Sequence, residues 1–443
     1  MGRLWYLNSE YLLTTFRVQR LISIDARASR TFPALVAPIH QIPSSRLIRD
    51  PLSSSSASLS LTTSTTTCLA HNAPLGSNLR RNHRTFTRTL GTIMAGITSQ
   101  LPEKMQAIGI NQTGDFEVIE KLELPVPKNA PGNVLVKVHY GGVNFIDTYY
   151  RKGLYPISSF PQPLGTEAAG EIVGLPTDEK VLNDEEYKLR GFSLGGKVAV
   201  YGLGAFSEYV SVPWQKAYAL PEGLSTRTAA AGLTQGGTVL TFVTEAYNVQ
   251  KGDVVLVHTI AGGLGLIFAQ LLKARGATVI GTTSTPEKAA IAREYGADHV
   301  ILYKQEDTVQ RVLELTNGEG VHAIFDGVGK DTFESDFKMI RRKGTIVSVG
   351  NASGAVPPFP PLKLVEKNVR LLRPTLANYI YTPEEGRRYS TELFRLIANG
   401  DLKIRIHGEY PFTAEGVQQA QKDLTGGKTV GKLIIKIAPP ETE

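Results

Sequence analysis

From about residue 229 to about residue 380, short apolar strands alternate with helices at regular intervals. Six strands are predicted there, at Val254–Ile260, Thr278–Thr282, His299–Leu302, Ala323–Asp326, Thr345–Val349 and Arg370–Pro374. One of the helices begins with a capping Thr285 followed directly by Pro286, and it ends at Gly296. Because parallel strands need a crossover connection, this alternation predicts a parallel, doubly wound sheet of the α/β class.

The first of these strands runs into a glycine-rich segment that is followed by an apolar helix. The segment consists of Ala261, Gly262, Gly263, Leu264 and Gly265. A glycine-rich turn between a strand and a helix presents backbone N–H groups to a pyrophosphate. Ile260 stands where the usual pattern has its first glycine, so the motif is a variant. The sequence predicts a dinucleotide site here, and the alternative is a tight turn without a ligand.

The end of the second strand indicates which dinucleotide binds. Enzymes that use NAD place an acidic residue there to hold the ribose hydroxyls. This chain has no acid at that point and offers hydroxyls and a lysine instead, in Thr282, Thr283, Ser284 and Lys288, with Tyr303 after the third strand. The pattern favours NADPH as the cofactor. The alternative is that Thr285 only caps a helix and that Lys288 lies on the solvated surface.

Residues 105–228 read differently, as short β segments separated by Gly and Pro. They predict the first part of a barrel-like, all-β domain. Residues 229–380 form the predicted cofactor domain, and residues 381–443 are expected to return to the first domain. Between Ile172 and Gly195 an acidic connection is expected to be a solvated loop.

The N-terminal residues 1–102 have the composition of a disordered leader. They hold 11 Arg, no Lys and three acids, which gives them a net charge of +8. The whole chain carries +7, so residues 103–443 carry 7 − 8 = −1 and offer no global field for polyanions. The only cysteine, Cys68, also lies in this leader, so the remainder has no cysteine for a disulfide or a metal.

The leader is either a transit peptide, which predicts a mitochondrial protein, or an extension upstream of a start at Met94, which predicts a cytoplasmic one. No apolar run is long enough to predict a membrane span.

Three further segments precede the cofactor domain: Asn144–Tyr149, Gly153–Pro156 and Gly165–Gly170. Together with the glycine-rich turn, they resemble the medium-chain dehydrogenases and reductases, and in particular the quinone oxidoreductases related to zeta-crystallin. The resemblance covers about residues 105–440 and includes Gly350–Gly354. It implies a GroES-like β-barrel domain joined to a Rossmann domain, with the binding site between the two lobes.

The resemblance also implies roles for individual residues. It places Asn144, Tyr149 and Tyr155 near the nicotinamide as candidates for polarising the acceptor, and Gln235 and Thr238 at the start of the first cofactor-domain helix. Asn351 and Ser353 are further candidate cofactor contacts. Zinc-dependent relatives have Cys, His and Cys where this chain has Asn144, Thr166 and Ala231, a set that cannot form a tetrahedral zinc site. A homodimer joined at the edge of the cofactor sheet, around Thr345–Val349, is expected as well.

These features predict a zinc-independent NADPH:quinone oxidoreductase. An NADPH-dependent 2-enoyl or alkenal reductase is the alternative within the same fold. A third hypothesis is weak RNA binding, known among relatives of zeta-crystallin, for which Arg341-Arg342-Lys343 offers a local basic patch.

The leader is predicted to be dispensable for folding, because it has no periodic apolar face with which to dock on a domain. A chain that begins at Met94 should fold and show the activity of the full chain, as measured by thermal unfolding and by turnover. If the shortened chain fails to fold, the leader is part of the structure.

Overall fold

The computed structural model of the chain describes residues 101–439, so the predicted leader lies outside the described residues. The described chain opens with β-structure and three short helices. These elements are β1 (Lys104–Ile110), β2 (Ile119–Pro125), β3 (Asn133–Val143), α1 (Phe145–Arg151), β4 (Gln162–Pro163), β5 (Glu167–Gly174), α2 (Glu179–Leu182), α3 (Glu185–Leu189), β6 (Lys197–Tyr201), β7 (Tyr209–Pro213) and β8 (Ala217–Ala219).

A regular alternation of helices and strands follows. It consists of α4 (Thr226–Thr241), β9 (Val254–Val257), α5 (Gly263–Ala274), β10 (Thr278–Thr283), α6 (Pro286–Glu294), β11 (His299–Leu302), α7 (Thr308–Leu315), β12 (Val321–Asp326), α8 (Phe333–Met339), β13 (Ile340–Ser348) and β14 (Arg370–Leu372). The six strands are all parallel in the order β11-β10-β9-β12-β13-β14. This arrangement confirms the predicted doubly wound sheet.

The C-terminal segment contains α9 (Leu376–Tyr379), α10 (Pro383–Ala398), β15 (Ile406–Pro411), α11 (Ala414–Thr425) and β16 (Lys432–Lys436). β16 runs antiparallel to β3, and it extends a seven-stranded sheet in which β7 also pairs with β3. A second, three-stranded sheet has the order β2-β1-β4. The GroES-like barrel is therefore built from both ends of the described chain.

Alternate side chains of the parallel strands are buried on opposite faces of the sheet. One face packs Leu256, Ile280 and Ile324 against Val312 of α7. The other packs Val255, Val257 and Phe325 against α5, where the rings of Phe268 and Phe325 lie 4.5 Å apart. Since both faces are covered, the strands read as nearly continuous apolar runs. In residues 101–439 no helix is long and apolar enough to cross a bilayer.

Three local expectations are corrected by the structure. The acidic connection is exposed to solvent as expected, but it forms the short helices α2 and α3 and not a loop. Gln235 and Thr238 lie in the second half of α4 and not at its beginning. β13, which contains Thr345–Val349 up to Ser348, lies between β12 and β14 and is not an edge. The basic run Arg341-Arg342-Lys343 lies at the start of β13.

The acidic connection is fixed to the barrel by Arg190, a buried residue just after α3. Its Nη1 donates to the carbonyl of Ala217 at 3.0 Å and its Nη2 donates to the carbonyl of Pro383 at 2.9 Å. The guanidinium also lies 5.0 Å from the ring centroid of Tyr218. One planar cation therefore links the connection, β8 and the start of α10, a role that suits Arg better than Lys.

Replacing this arginine by lysine should destabilise the fold. Arg190→Lys removes the forked donation to two carbonyls, and we expect the free energy of unfolding to fall by about 1.5–3 kcal/mol. Urea unfolding measures the difference. The same replacement at Arg227, whose ion pair with Glu409 is partly exposed to solvent, is the matched control and should have little effect. Equal effects at the two positions would contradict the linking role.

Candidate active site

The glycine-rich segment lies at the carboxyl end of β9, the third strand from one edge of the parallel sheet. Thr259 has φ +57°, in the left-handed region, and its carbonyl accepts from the N–H of Gly262 at 2.8 Å. Gly262 caps α5 without a side-chain hydrogen bond. The N–H groups in the first turn of α5 have no partner within the helix, so this end offers donors to an anion.

Close backbone contacts require glycine at one position of this turn. A Cβ on Gly265 would lie 2.4 Å from the carbonyl oxygens of Ile260 and Thr259, so glycine lets the helix start directly on the turn. Gly263 lies against the side chain of Gln235, whose Oε1 would be 2.3 Å from an added Cβ, and this contact brings α4 to the turn. The predicted residues Ala261, Gly262, Gly263, Leu264, Gly265 and Gln235 are therefore together in space. Thr238, one turn further along α4, donates its hydroxyl to the carbonyl of Thr234 at 2.7 Å.

The residues predicted to bind the 2′-phosphate near the end of β10 fall into two groups, one buried and one exposed to solvent. Thr282 and Thr283 are 3% and 4% exposed, and Oγ1 of Thr282 lies 3.1 Å from Nδ1 of His258. The N–H of Thr259 also donates to this hydroxyl, at 3.3 Å. The Thr282 hydroxyl is therefore engaged inside the protein, a placement that the apolar pattern of a strand buried on both faces does not reveal.

The second group is accessible to solvent. Ser284 and Lys288 are half-buried, Tyr303 is 50% exposed, and the chain reaches Tyr303 directly from β11, the neighbour of β10. The ammonium of Lys288 donates to the carbonyl of Gly427 at 2.6 Å. Burial and the nearby charge of Lys304 both lower the pKa of Lys288. Lys304 is thus a second cation at this surface that the sequence analysis missed, although it directly follows Tyr303.

A buried polar cluster occupies the barrel side of the site. The amide of Asn144 donates to Oε1 of Glu167 at 2.8 Å, and its oxygen accepts from the ammonium of Lys432 at 2.7 Å. Glu167 also pairs with Lys432 directly and accepts from the N–H of Thr234 at 2.6 Å. All three side chains are at most 6% exposed. Sequence analysis missed Lys432, and its one signal was a lysine beside the apolar run Leu433–Ile435.

The three positions that correspond to the zinc ligands of relatives hold groups unsuited to zinc. Asn144 is committed to Glu167 and Lys432, and the hydroxyl of Thr166 donates to Asp147 at 3.1 Å. Ala231 contributes only a methyl group, buried in α4. Burial raises the pKa of Asp147 to about 7. This donor set lacks the thiolates and imidazoles that bind zinc.

Three tyrosines cluster in and just after α1, on the barrel side of the site. The ring of Tyr155 lies 5.5 Å from that of Tyr149 and 5.7 Å from that of Tyr150. The hydroxyl of Tyr149 accepts from the N–H of Asn351 at 3.2 Å, and burial raises its pKa. The predicted residues Tyr149, Tyr155 and Asn351 are thereby brought together. Ser353 instead donates to the carbonyl of Val328 at 2.9 Å and so stabilises the adjoining loop.

Comparison with known proteins shows the same two-domain organisation. The alcohol dehydrogenase GroES-like domain matches residues 130–222, and the zinc-binding dehydrogenase domain matches residues 263–394. A quinone oxidoreductase of Pseudomonas aeruginosa is 37% identical over 325 residues, which cover 73% of this chain and 96% of that protein. A 2-haloacrylate reductase of a Burkholderia species is 32% identical over 322 residues, covering 71% of this chain and 93% of that protein.

The solved structures agree with these relatives. The crystal structure of the Escherichia coli quinone oxidoreductase complexed with NADPH is similar with a TM-score of 0.70 and 36% identity, and the match covers 75% of this chain and 99% of that one. Each of these three relatives is more than 30% identical to this chain, and the match covers more than nine tenths of its length. The chain therefore belongs to the quinone oxidoreductase family of the medium-chain dehydrogenases and reductases.

Proposed function

We propose that this chain is a zinc-independent NADPH:quinone oxidoreductase. The observation that carries the proposal is the turn at β9, where the missing Cβ of Gly265 lets α5 start directly against the carbonyls of Ile260 and Thr259 and where the helix begins without a side-chain cap. Such a cradle fits a dinucleotide pyrophosphate. The relative from Escherichia coli has been solved in complex with NADPH.

The surface beyond β10 supports NADPH rather than NADH. The 2′-phosphate carries roughly −1.5 to −2 charge at neutral pH. No acid stands at the end of β10, whereas Lys288 and Lys304 lie close enough to interact with each other. Ser284 and Tyr303 add hydroxyl groups. The interaction of two lysines is unfavourable in the free protein, and a bound phosphate would relieve it.

The barrel side supports reduction of an electron-poor acceptor. NADPH, when bound, supplies a hydride, and the protein has to align the acceptor and polarise it. The tyrosine group supplies hydroxyls for this purpose, with Tyr155 as the candidate donor of the proton that a quinone oxygen takes up. Asn144 is 6% exposed and both ends of its amide are engaged, so we assign it to holding the wall of the site.

Reduction of an activated alkene is the second candidate. The similarity to a 2-haloacrylate reductase favours it. The same tyrosine hydroxyls could protonate the alkene carbon that does not receive the hydride. The two candidates therefore differ in acceptor and not in cofactor.

We further propose a homodimer. The edge strands of the parallel sheet are β11 and β14. We therefore place the proposed dimer interface at β14 and not at β13. Leu362 and Val365, just before β14, are 76% and 61% exposed. RNA binding is supported only by the short basic run at the start of β13, so we do not propose it.

A panel of acceptors at saturating NADPH tests the proposed reaction. We expect kcat/KM for simple quinones to exceed that for enoyl thioesters and alkenals, since a quinone needs mainly hydride alignment. An alkenal or enoyl thioester that is used at least tenfold better than any quinone would contradict the quinone assignment and support the alkene reductase.

Lys288→Ala should lower the preference for NADPH. Hydrogen bonds to charged groups contribute roughly 1.5–3 kcal/mol, so NADPH binding should weaken about 10- to 150-fold. NADH has no 2′-phosphate and should be almost unaffected. The measurement is the ratio of kcat/KM for NADPH to that for NADH.

Two further lysine variants make this test specific. Lys304→Ala should lower the same ratio, by a smaller factor. Lys251→Ala is the matched control, because this exposed lysine precedes β9 at the amino ends of the strands, away from the carboxyl ends where Lys288 and Lys304 lie. A wild-type preference for NADH, or equal weakening of both cofactors by Lys288→Ala, would overturn the assignment of this surface.

A further inference from the structure

His258 is a buried polar residue at the end of β9, directly before the turn that forms the cofactor cradle. It is 4% exposed. Its Nδ1 lies 3.1 Å from Oγ1 of Thr282, and its Nε2 lies 2.9 Å from Oδ1 of Asp336. Both ring nitrogens are therefore engaged, one with β10 and one with α8.

The Nδ1 side of the ring supports the residue that opens the turn. The hydroxyl of Thr282 contacts His258 and accepts from the N–H of Thr259 at 3.3 Å. Thr259 has φ +57°. This conformation is unfavourable for a β-branched residue, so it persists where surrounding contacts hold it. Thr282 and His258 supply such contacts.

The Nε2 side of the ring contacts the carboxyl groups that hold the turn after β12. Asp336 lies beside Asp326, and their oxygens and the imidazole nitrogen lie within 4.8 Å of one another. Asp326 accepts from the N–H groups of Val328 and Gly329 at 2.8 Å and 3.2 Å and from the hydroxyl of Thr332 at 2.9 Å. The turn after β12 is thus held by the same buried group.

That turn leads to the tyrosine end of the site. The carbonyl of Gly327 accepts from the N–H of Ala352 at 3.1 Å, and the adjacent N–H of Asn351 donates to Tyr149. A chain of contacts therefore runs from the pyrophosphate turn through His258 and the two aspartates to the loop beside Tyr149.

We propose that His258 is a positioning residue for the dinucleotide, which holds the Thr282 hydroxyl under Thr259 so that the turn keeps the shape that receives the pyrophosphate. Thr282 is then a support of the turn and not a ligand of the 2′-phosphate. The inference rests on the proposed binding of NADPH and adds a residue that does not touch the cofactor.

A metal ion is the other ligand-based explanation for a His and two Asp in one place. The contacts argue against it. Both nitrogens of His258 are engaged with protein groups, and the carboxylate of Asp326 accepts from three donors. Within the described chain, Oδ2 of Asp336 is the one oxygen of this group that has no partner. A single open position does not make a coordination site.

Thr282→Val tests the proposal, because it replaces the hydroxyl by a methyl group of similar size. We expect the Kd values of NADPH and NADH, measured by calorimetry or fluorescence quenching, to rise by the same factor, about 3- to 10-fold, as for the loss of one neutral hydrogen bond. The ratio of the two Kd values should not change. Thr282→Ser, which keeps the hydroxyl, should restore wild-type binding.

Two variants of His258 test the contacts of its two ring nitrogens separately. An Asn amide reaches the position of Nδ1 and a Gln amide reaches that of Nε2. His258→Asn should therefore keep both Kd values close to wild type while lowering the midpoint of thermal unfolding, since Asp336 loses its partner. His258→Gln should keep Asp336 paired and raise both Kd values as Thr282→Val does. A residue that only stabilises the fold would not separate these two readouts.

Three results would overturn the proposal. Weakening of NADPH alone by Thr282→Val would make Thr282 a ligand of the 2′-phosphate. Unchanged Kd values in folded Thr282→Val and His258→Gln would make the network a structural one. Stoichiometric metal that is lost in Asp336→Asn would make it a metal site. A wild-type protein that binds neither cofactor would refute the proposed function itself, and the positioning role with it, whereas normal wild-type binding confines any failure to the inference.

Discussion

The close approach of Gly265 to the carbonyls of Ile260 and Thr259 is the constraint on which the site depends. It allows α5 to start immediately after β9, so that the helix N-terminus lies at the carboxyl edge near the centre of the sheet. The same turn is contacted by Gln235 of α4, and Gly262 forms a bridge with Gly431 just before β16. The cofactor domain and the barrel therefore meet at the turn itself.

Two buried polar networks support the regions around this turn. On the barrel side, Lys432 and Glu167 are ionisable groups in an interior of low dielectric, where each stabilises the charge of the other. Such a pair contributes little net stability but is costly to break, because it leaves one charge unpaired. In the cofactor domain, His258 and Asp336 are similarly enclosed, and burial raises the pKa of Asp336. Each network joins elements that are far apart in the sequence.

The electrostatic character of the protein is local rather than global. Residues 103–443 carry a net charge of only −1, so no overall field draws in an anionic cofactor. Selectivity for a 2′-phosphate would instead arise from a few groups near the end of β10, where two lysines are present and an acid is absent. The tyrosine end offers aromatic rings and hydroxyl groups, which suit a planar, electron-poor acceptor.

Much of this organisation follows from the sequence. Alternating strands and helices determined the parallel sheet, since each local period fixes which faces are buried, and the order Thr285-Pro286 placed the start of α6 where the structure has it. The glycine spacing located the cofactor turn for the same reason, because the steric need for glycine is local. Sequence patterns did not reveal that α2 and α3 form, that Thr282 points inward, or that Lys304 stands near Lys288. They also did not pair Lys432 with Glu167 or His258 with Asp336. A local pattern indicates that a residue is buried, but only tertiary packing decides which distant group it meets.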